Sequence, residues 1–332
     1  MGNIILNQNC NYGAIYTPIN TSTHAHTYEG NRENTPADRD TFKKSIAKRG
    51  VMGDSPPRYT YLADLKDNKI YGQGTSIFDN GDTYEGDWKD NKKHGKGTFI
   101  YANGDTYEGE WNNDKKHGQG TLRFSNGDIY QGDWKYGQKH GQGTARPANG
   151  PIYEGNWQDD KKHGQGIVRF PNGDIYEGDW QDDKKHGQAT YKYASGSVYT
   201  GSWNNDKIYG QGTFIFANGD IYEGQFDTKR HGQGILKYVN GDIYTGNWKD
   251  GKKDGVGIFR FANGSSYEGE FKNNLYNGPG KLIKSDGSCY TGQWKDGKRS
   301  GYGFSKSQDN VIINGFWQND EIQGDPVAPP FI

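Results

Sequence analysis

The sequence is poor in cysteine and has no long apolar run. Its 332 residues contain two cysteines, Cys10 and Cys289, too few for a disulfide framework, which favours a reducing, cytoplasmic setting. No stretch approaches the roughly 20 apolar residues that a membrane-spanning helix needs. The N-terminus also lacks the charged region and long apolar region of a signal peptide. We therefore expect a cytoplasmic protein.

Charge of one sign and catalytic motifs are also missing. The net charge is −1, so no overall field attracts nucleic acid. There is no phosphate-binding GxxxxGK[ST] loop and no HExxH zinc motif. Carboxylate pairs such as Glu108 and Glu110 recur in several units, which indicates a solvated face rather than one acid/base pair. The sequence therefore predicts no enzymatic activity, no cofactor, no metal and no nucleic-acid partner.

Aromatic residues and glycine are abundant and periodic. Aromatics make up 14% of the chain, and there are 51 glycines. Lead tyrosines recur every 23 residues from Tyr84 to Tyr290, apart from one step of 22 residues between Tyr222 and Tyr244. Degenerate units begin at Tyr61 and Ile313. This period predicts a repeat array of about twelve units, with atypical units at its ends.

Each unit has the alternation of two β-strands. Residues 128–134 and residues 118–124 alternate at period two. This places Tyr130, Gly132 and Trp134 on one face, with Gln131 and Asp133 on the other. Glycines beside the large rings let those rings lie over bare backbone. A helical solenoid is disfavoured, because each glycine would cost about 1 kcal/mol inside a helix.

The dipeptide Asn-Gly marks the turn between units. It occurs at Asn126-Gly127 and recurs at equivalent positions along the array. Both residues tolerate positive φ values, so we expect a type I′ hairpin turn there. The single missing residue of the shortened unit lies between Phe226 and His231. We expect it to shorten a turn and leave the strands intact.

The repeated pattern Tyr-Glu-Gly-x-Trp, then Lys-Lys-His-Gly-x-Gly-Thr, then Asn-Gly-Asp, resembles the MORN (membrane occupation and recognition nexus) repeat family. The likeness covers roughly residues 61–323. The predicted fold is all-β, an elongated single-layer antiparallel β-meander of about twelve 23-residue hairpin repeats, with a short N-terminal helix. The resemblance implies protein binding and dimerisation, and phosphoinositide binding is also proposed for the family.

Two segments flank the array, which we place at residues 59–324. Residues 1–58 do not repeat, and within them Thr35-Pro36 resembles a helix start, so we expect a helix over residues 36–49 that caps the first sheet edge. Residues 325–332 form a proline-rich tail that we expect to end the sheet.

The aromatic face is the first candidate site. A single-layer sheet cannot cover one of its own faces unless it curls, so these rings need a partner, a second copy of the chain or a tight groove. Part of the ring surface would then form a long groove for a peptide. The residues predicted to line this partner groove are Tyr107, Trp111, Tyr130, Trp134, Tyr153, Trp157, Tyr176 and Trp180.

The second candidate site is a basic edge, which we call the lysine edge. Histidine recurs at one repeat position, preceded by lysine, and we expect these residues in turns along one edge of the sheet. Equivalent positions in adjacent hairpins lie roughly 10 Å apart, too far for a shared metal ion. We expect each histidine to donate a hydrogen bond to a neighbouring carbonyl. The lysine edge comprises Lys92, Lys93, His94, Lys115, Lys116, His117, Lys161, Lys162, His163, Lys184, Lys185 and His186.

These two sites give two functional hypotheses. The first is a non-enzymatic scaffold that binds an unidentified protein, or a second copy as a homodimer, through the aromatic groove or edge. The alternative is a peripheral tether at the cytosolic face of a membrane, which binds anionic phospholipids through the lysine edge. An accessory role to an enzyme ranks third, because residues 1–58 carry no catalytic motif.

Overall fold

The computed structural model describes residues 43–50 and 59–327, and every regular element in them is a β-strand. The chain divides into residues 1–41, outside the described part, and residues 42–332. The described strands form one 25-stranded antiparallel sheet, in which strands adjacent in sequence pair with each other. The predicted all-β meander is therefore confirmed.

The strands are numbered in chain order. The first thirteen are β1 Lys43–Gly50, β2 Tyr59–Lys66, β3 Lys69–Phe78, β4 Thr83–Lys89, β5 Lys92–Ile100, β6 Thr106–Asn112, β7 Lys115–Arg123, β8 Ile129–Lys135, β9 Gln138–Arg146, β10 Ile152–Gln158, β11 Lys161–Arg169, β12 Ile175–Gln181 and β13 Lys184–Lys192. The remaining twelve are β14 Val198–Asn204, β15 Lys207–Ile215, β16 Ile221–Asp227, β17 Lys229–Lys237, β18 Ile243–Lys249, β19 Lys252–Arg260, β20 Ser266–Lys272, β21 Leu275–Ile283, β22 Cys289–Lys295, β23 Lys298–Lys306, β24 Ile312–Gln318 and β25 Glu321–Val327.

Strand β1 occupies part of the predicted N-terminal helix. It pairs with β2 from Lys43 opposite Leu65 to Gly50 opposite Tyr59. The helix prediction is therefore wrong for residues 43–49, while residues 36–42 lie outside the described residues. The helix had only two large apolar residues on one face, whereas the edge of β2 offers a row of unpaired backbone groups. Pairing with that edge satisfies these groups.

The C-terminal boundary also differs from the prediction. Strand β25 runs to Val327, which lies opposite Asn314 of β24, so pairing continues past the expected end at residue 324. Pro326 is tolerated because β25 has only β24 as a neighbour among the described strands, and an edge strand can leave one side of its backbone unpaired.

Two kinds of turn alternate along the sheet. After the tryptophan strand, two successive residues have positive φ, as in Asn113 (50°) and Asp114 (67°), which is the type I′ geometry. At Asn126-Gly127 only the glycine does (92°), and its N–H donates to the Phe124 carbonyl over 2.9 Å. The type I′ prediction at Asn-Gly is therefore wrong, and this turn is a type I turn closed by a left-handed glycine.

The shortened unit behaves as predicted. Thr228 (φ 62°) alone links β16 and β17, with Asp227 opposite Lys229. Both strands keep the lengths of their counterparts in other units, seven and nine residues. The missing residue therefore removes part of a turn and no strand residue.

The core is a continuous file of rings on one face of the sheet, which we call the aromatic face. Tyr130 is 1% exposed, and its ring meets Trp134 at 5.1 Å and Trp157 of the next unit at 5.3 Å, edge to face. The Trp134 indole N–H donates to the Gly120 carbonyl over 3.2 Å. A methyl group at Gly143 would lie 2.3 Å from the Tyr130 hydroxyl oxygen, which confirms the steric reason for glycine.

Neighbouring units are also joined at their turns. The backbone N–H of Lys93 donates to Oδ1 of Asp114 in the next type I′ turn (2.9 Å), and the Asp114 N–H returns a bond to the Lys93 carbonyl (3.0 Å). At the opposite edge, Oδ1 of Asp128 accepts from the N–H of Ala148, one unit later (2.8 Å). Each unit thus stabilises the next through backbone bonds as well as rings.

Candidate functional site

The aromatic residues predicted to line a partner groove are buried within the chain itself. All eight, from Tyr107 to Trp180, are between 0% and 6% exposed. They cover one another across units, as in the contacts of Tyr107 with Trp111 (5.1 Å) and Trp134 (5.4 Å). The structure therefore places them in the core and not in an open groove. The argument that this face needs a partner fails, because the glycine backbone, the neighbouring rings and lysine side chains fill the space.

One lysine of each Lys-Lys pair points onto the aromatic face. Lys116 Nζ lies 5.1 Å from the Tyr107 ring centre and 4.7 Å from that of Trp134, within cation–π range. Burial there lowers the pKa of Lys116, and that of Lys253, to about 8. Burial likewise lowers the pKa of the equivalent side chains Lys93, Lys139, Lys162 and Lys185.

The other lysine of each pair stays exposed at the sheet edge. Lys92, Lys115, Lys161 and Lys184 are exposed, but carboxylates of the next turn lie beside this row. Lys161 Nζ is 3.8 Å from Asp182, and the equivalent Lys69 is 3.0 Å from Asp90. The lysine edge is therefore a row of alternating charge in which half of the predicted cations face the rings.

The histidines lie near the start of the second strand of each hairpin and not in the turns. His94, His117, His163 and His186 are half-buried. The Nδ1 atoms of His94, His117 and His140 are buried without a hydrogen-bond partner, so the predicted bond to a carbonyl is wrong for these nitrogens. Within residues 43–50 and 59–327 no group of three or more His, Cys, Asp or Glu side chains could hold a metal ion.

The face opposite the rings carries a feature that sequence reasoning missed, which we call the polar trough. Glycines pair across neighbouring strands, as in Gly86 with Gly97 and Gly109 with Gly120. From β3 to β7, one rim of this glycine row alternates glutamate and threonine, with Thr98 opposite Glu85 and Glu108. On the other rim, glutamine amides of several repeats donate to carboxylate or amide oxygens one strand away: Gln73 to Asp87, Gln119 to Asp133, Gln142 to Asn156, Gln165 to Asp179 and Gln233 to Asn247.

The polar trough opens into a cavity at two places. One spans β3 to β8 with a volume of about 620 Å³. Its charged lining comprises Glu85, Glu108, Glu110 and Lys96, so carboxylates outnumber cations. The other spans β13 to β18 with about 740 Å³, and its one carboxylate, Glu223, pairs with Lys237 at 3.0 Å. The cavity that spans β3 to β8 is therefore acidic, and the cavity that spans β13 to β18 is neutral once the Glu223–Lys237 pair is counted. The polar trough could have been predicted from the repeat, since the same period-two alternation that places the rings on one face places these side chains on the opposite face.

Fold and site define a class of protein: a β-hairpin repeat array with an internal aromatic core and an open polar face. The family model described as MORN repeat matches ten consecutive segments, residues 84–106, 107–129, 130–150, 153–175, 176–198, 199–221, 222–243, 244–266, 267–289 and 290–310. The chain belongs to the MORN repeat family. The degenerate units predicted on either side form the hairpins β2–β3 and β24–β25.

Comparisons with other proteins add little beyond the family. No curated protein sequence matches significantly. The TCP10 domain of Danio rerio CPAP is 12% identical, with 66% of this chain and 99% of that chain covered and a TM-score of 0.35. The SAS-4 TCP domain of Drosophila melanogaster, solved with a proline-rich motif of Ana2, is 17% identical over 46% and 84%, with a TM-score of 0.32. At such TM-scores neither bears on the function of this chain. In the described part of the chain no helix is long and apolar enough to cross a membrane.

Proposed function

We propose that this chain is a non-enzymatic scaffold that binds an extended segment of a partner protein in the polar trough. The observation that carries the proposal is the contrast between the two faces. The rings of the aromatic face are already buried, whereas Glu85, Glu108 and Gln119 on the rims of the trough are exposed. A partner can reach these groups without any rearrangement of the core.

The chemistry of the trough suits a polypeptide. Its floor is glycine backbone, so a partner main chain can approach closely. Its rims present carboxylates, hydroxyls or amides in each matched repeat, and repeat arrays commonly bind long segments through such periodic surfaces. In the cavity that spans β3 to β8, Glu85, Glu108 and Glu110 outnumber Lys96. We therefore expect a partner segment with lysine or arginine at this end.

The membrane-tether alternative has weaker support. Only the outer lysine of each pair faces solvent, and acidic turn residues such as Asp182 lie beside that row. An anionic surface would therefore meet a mixed edge and not a basic one. A cytoplasmic location and a homodimer, like the absence of enzymatic activity, stay predictions.

A displayed library of random 12-residue peptides, selected on the full chain, tests the proposal. Selected peptides are then measured against wild type, the trough variant Glu85→Lys/Glu108→Lys and the edge variant Lys115→Glu. We expect enrichment of basic peptides and at least tenfold weaker binding to the trough variant, with the edge variant unchanged. Sedimentation with neutral and anionic vesicles, at two salt concentrations, examines the alternative.

Two outcomes would overturn the proposal. One is a selection that enriches no peptide. The other is a set of peptides that bind the trough variant as well as wild type. Salt-sensitive binding to anionic vesicles that is lost in Lys115→Glu would move the function to the lysine edge. Circular dichroism of both variants shows whether the sheet is intact, which both should retain because the substituted side chains are exposed.

A further inference from the structure

A cavity of about 550 Å³ opens beside the last matched repeats, and it is separate from the polar trough. Its apolar wall includes Tyr276, Leu282 and Trp294, and its polar wall includes Lys284, Ser305 and Lys306. The volume lies in the range of small-molecule sites, and an apolar wall with a few polar groups is their usual composition.

The cavity exists because rings are missing from the repeat. In four of the earlier units two rings fill the equivalent space, as in Phe259 and Phe261, whose centres are 4.6 Å apart. The positions one unit later are Leu282 and Lys284, and those of the following unit are Ser305 and Ser307. Loss of rings at consecutive positions leaves a space that the neighbouring side chains do not fill. The tyrosine that could lean into it, Tyr276, instead stacks on Tyr267 at 3.6 Å.

Of the two cations that would accompany these rings, one remains: Tyr276 holds the lysine position in the unit of Leu282, and Arg299 holds it in the unit of Ser305. In the earlier unit Lys253 Nζ lies 4.5 Å from the Phe259 ring centre. Its counterpart Arg299 stands beside Ser305, and its guanidinium lies 4.1 Å from the Trp317 ring centre while its Nε pairs with Asp320 at 3.1 Å. Ser305 and Arg299 hold the repeat positions of Phe259 and Lys253. A ligand ring that packs on Ser305 would therefore lie beside Arg299 as the Phe259 ring lies beside Lys253.

Two further lysines, Lys284 and Lys306, line the cavity. Hydrogen bonds from Ser288 and the charge of Lys284 lower the pKa of the Asp286 carboxyl in the same wall. Within the described residues neither Lys284 nor Lys306 forms an ion pair or a side-chain hydrogen bond. Asp286 is occupied by the N–H and hydroxyl of Ser288, at 2.9 and 2.6 Å. The cavity therefore combines space for a flat ring with three cations, Lys284, Arg299 and Lys306, against two carboxylates, Asp286 and Asp320, so its lining carries one excess positive charge.

We propose that this cavity binds a small organic anion with a flat aromatic body, such as an aryl phosphate or aryl carboxylate. The ligand ring takes the place of the missing protein ring against Trp294 and beside Arg299. The anionic group reaches Lys284 and Lys306, because ammonium groups form strong charge-assisted hydrogen bonds with phosphate and carboxylate oxygens.

Titration of the full chain with phenyl phosphate, followed by ligand-observed NMR and calorimetry, tests the proposal. Inorganic phosphate and phenol are the matched probes that carry only one half of the ligand. We expect phenyl phosphate to bind at least tenfold more tightly than either. The variant Ser305→Phe restores a ring and should abolish binding, while Lys284→Gln and Lys306→Gln should each weaken it three- to tenfold. Lys192→Gln, an exposed lysine on another strand, should change nothing.

Three results would overturn the proposal. They are no binding of phenyl phosphate at millimolar concentration, equal binding of inorganic phosphate, and binding that Ser305→Phe leaves intact. If circular dichroism shows that Ser305→Phe disturbs the fold, the two lysine variants test the proposal instead. Both change side chains at the cavity wall without adding bulk. Unchanged affinity in both would reject the site.

Discussion

The indole Nε1 of Trp203 is buried without a hydrogen-bond partner, and the residue whose carbonyl should receive it is Ala189. Tryptophans of other units donate to a glycine carbonyl 14 residues earlier, as Trp180 does to Gly166 over 3.3 Å. Ala189 stands in the glycine row at this point, opposite Gly178 and Gly201. A single methyl group in the row thus coincides with the loss of one inter-repeat bond.

Replacing Ala189 by glycine should restore that bond. An unsatisfied buried donor costs roughly 1–3 kcal/mol, but the change also removes a buried methyl worth about 0.8 kcal/mol and adds a glycine cost of roughly 0.5–1 kcal/mol. We therefore expect Ala189→Gly to change the free energy of unfolding by less than about 2 kcal/mol. The Trp203 indole proton should nevertheless exchange with solvent at least tenfold more slowly, as measured by NMR.

The opposite substitution, Gly166→Ala, is the matched control. A methyl group there would approach the Tyr153 ring to 2.5 Å, so we expect about 1–3 kcal/mol of destabilisation in urea unfolding. The Trp180 indole proton should then exchange faster. Equal exchange rates for Trp203 before and after Ala189→Gly would show that the alanine is not the cause of the missing bond.

The repeat period made most of the fold predictable. The spacing of the tyrosines gives the hairpins, and the alternation around Tyr130 gives the buried face correctly. The ring-side position of Lys116 follows from pairing instead, because Lys116 lies opposite Trp111. A register shift interrupts the alternation between Lys116 and Gly120, and one unit's sequence does not show it. What the pattern did not show is how completely the rings bury one another, since that depends on packing across units and not on one unit's alternation.

The turns and the sheet ends were less predictable for a different reason. Asn-Gly is compatible with more than one turn, and the structure uses a left-handed glycine at Gly127 with no positive φ at Asn126. Residues 43–49 have a helical composition, yet they complete the edge of β2. Such choices depend on which neighbouring backbone groups need partners, and a local sequence pattern does not contain that information.

Lys116 should make stability depend on pH. Burial lowers the pKa of its ammonium group to about 8, against about 10.4 in an unfolded chain. Between these values the unfolded state binds more protons than the folded state, so the free energy of unfolding rises with pH. We expect a rise on the order of 1 kcal/mol for each such lysine between pH 7 and 9.5, reduced by the cation–π contacts that favour the charged form.

Urea unfolding at a series of pH values measures this rise, with the range kept below the tyrosine titration. Lys253, whose pKa is also lowered to about 8, should contribute equally, and the lowered pKa values of Lys93, Lys139, Lys162 and Lys185 add to the rise. Lys116→Met should therefore remove only its own share, on the order of 1 kcal/mol. The adjacent and exposed Lys115→Met should leave it unchanged. A pH profile that Lys116→Met does not alter would contradict the assignment.

Gly137→Asp should supply the carboxylate that Lys116 lacks. In the unit before, Asp114 accepts the Lys93 N–H and lies 3.6 Å from its ammonium group. Gly137 holds the same turn position with a left-handed φ of 91°, which aspartate tolerates, as Asp114 shows. We expect the pKa of Lys116 to rise above 8 and the free energy of unfolding at pH 7 to rise by about 1 kcal/mol.

The pKa is measured by NMR of the lysine Nζ resonances. Gly297→Asp is the matched control, because its partner across the sheet is Tyr276 and not a lysine. That variant can gain the backbone bond, but the pH dependence of its free energy of unfolding between pH 7 and 9.5 should be the same as in wild type. If both variants shifted the pH profile equally, the effect would not come from the lysine.

Pro151 and Pro171 together remove one of the turn-to-turn bonds at the Asn-Gly edge. In neighbouring units an aspartate accepts the N–H of a residue 20 positions later, as Asp174 does from Ala194 over 2.8 Å. Pro151 has no acceptor side chain, and Pro171 has no N–H.

The single variants Pro151→Asp and Pro171→Ala cannot form the bond, whereas the double variant can. We expect a coupling free energy of about 1 kcal/mol in a double-mutant cycle of urea unfolding, because one backbone-to-carboxylate bond appears only in the double variant. Strictly additive effects would show that the turn at residues 147–151 holds position 151 away from the next unit.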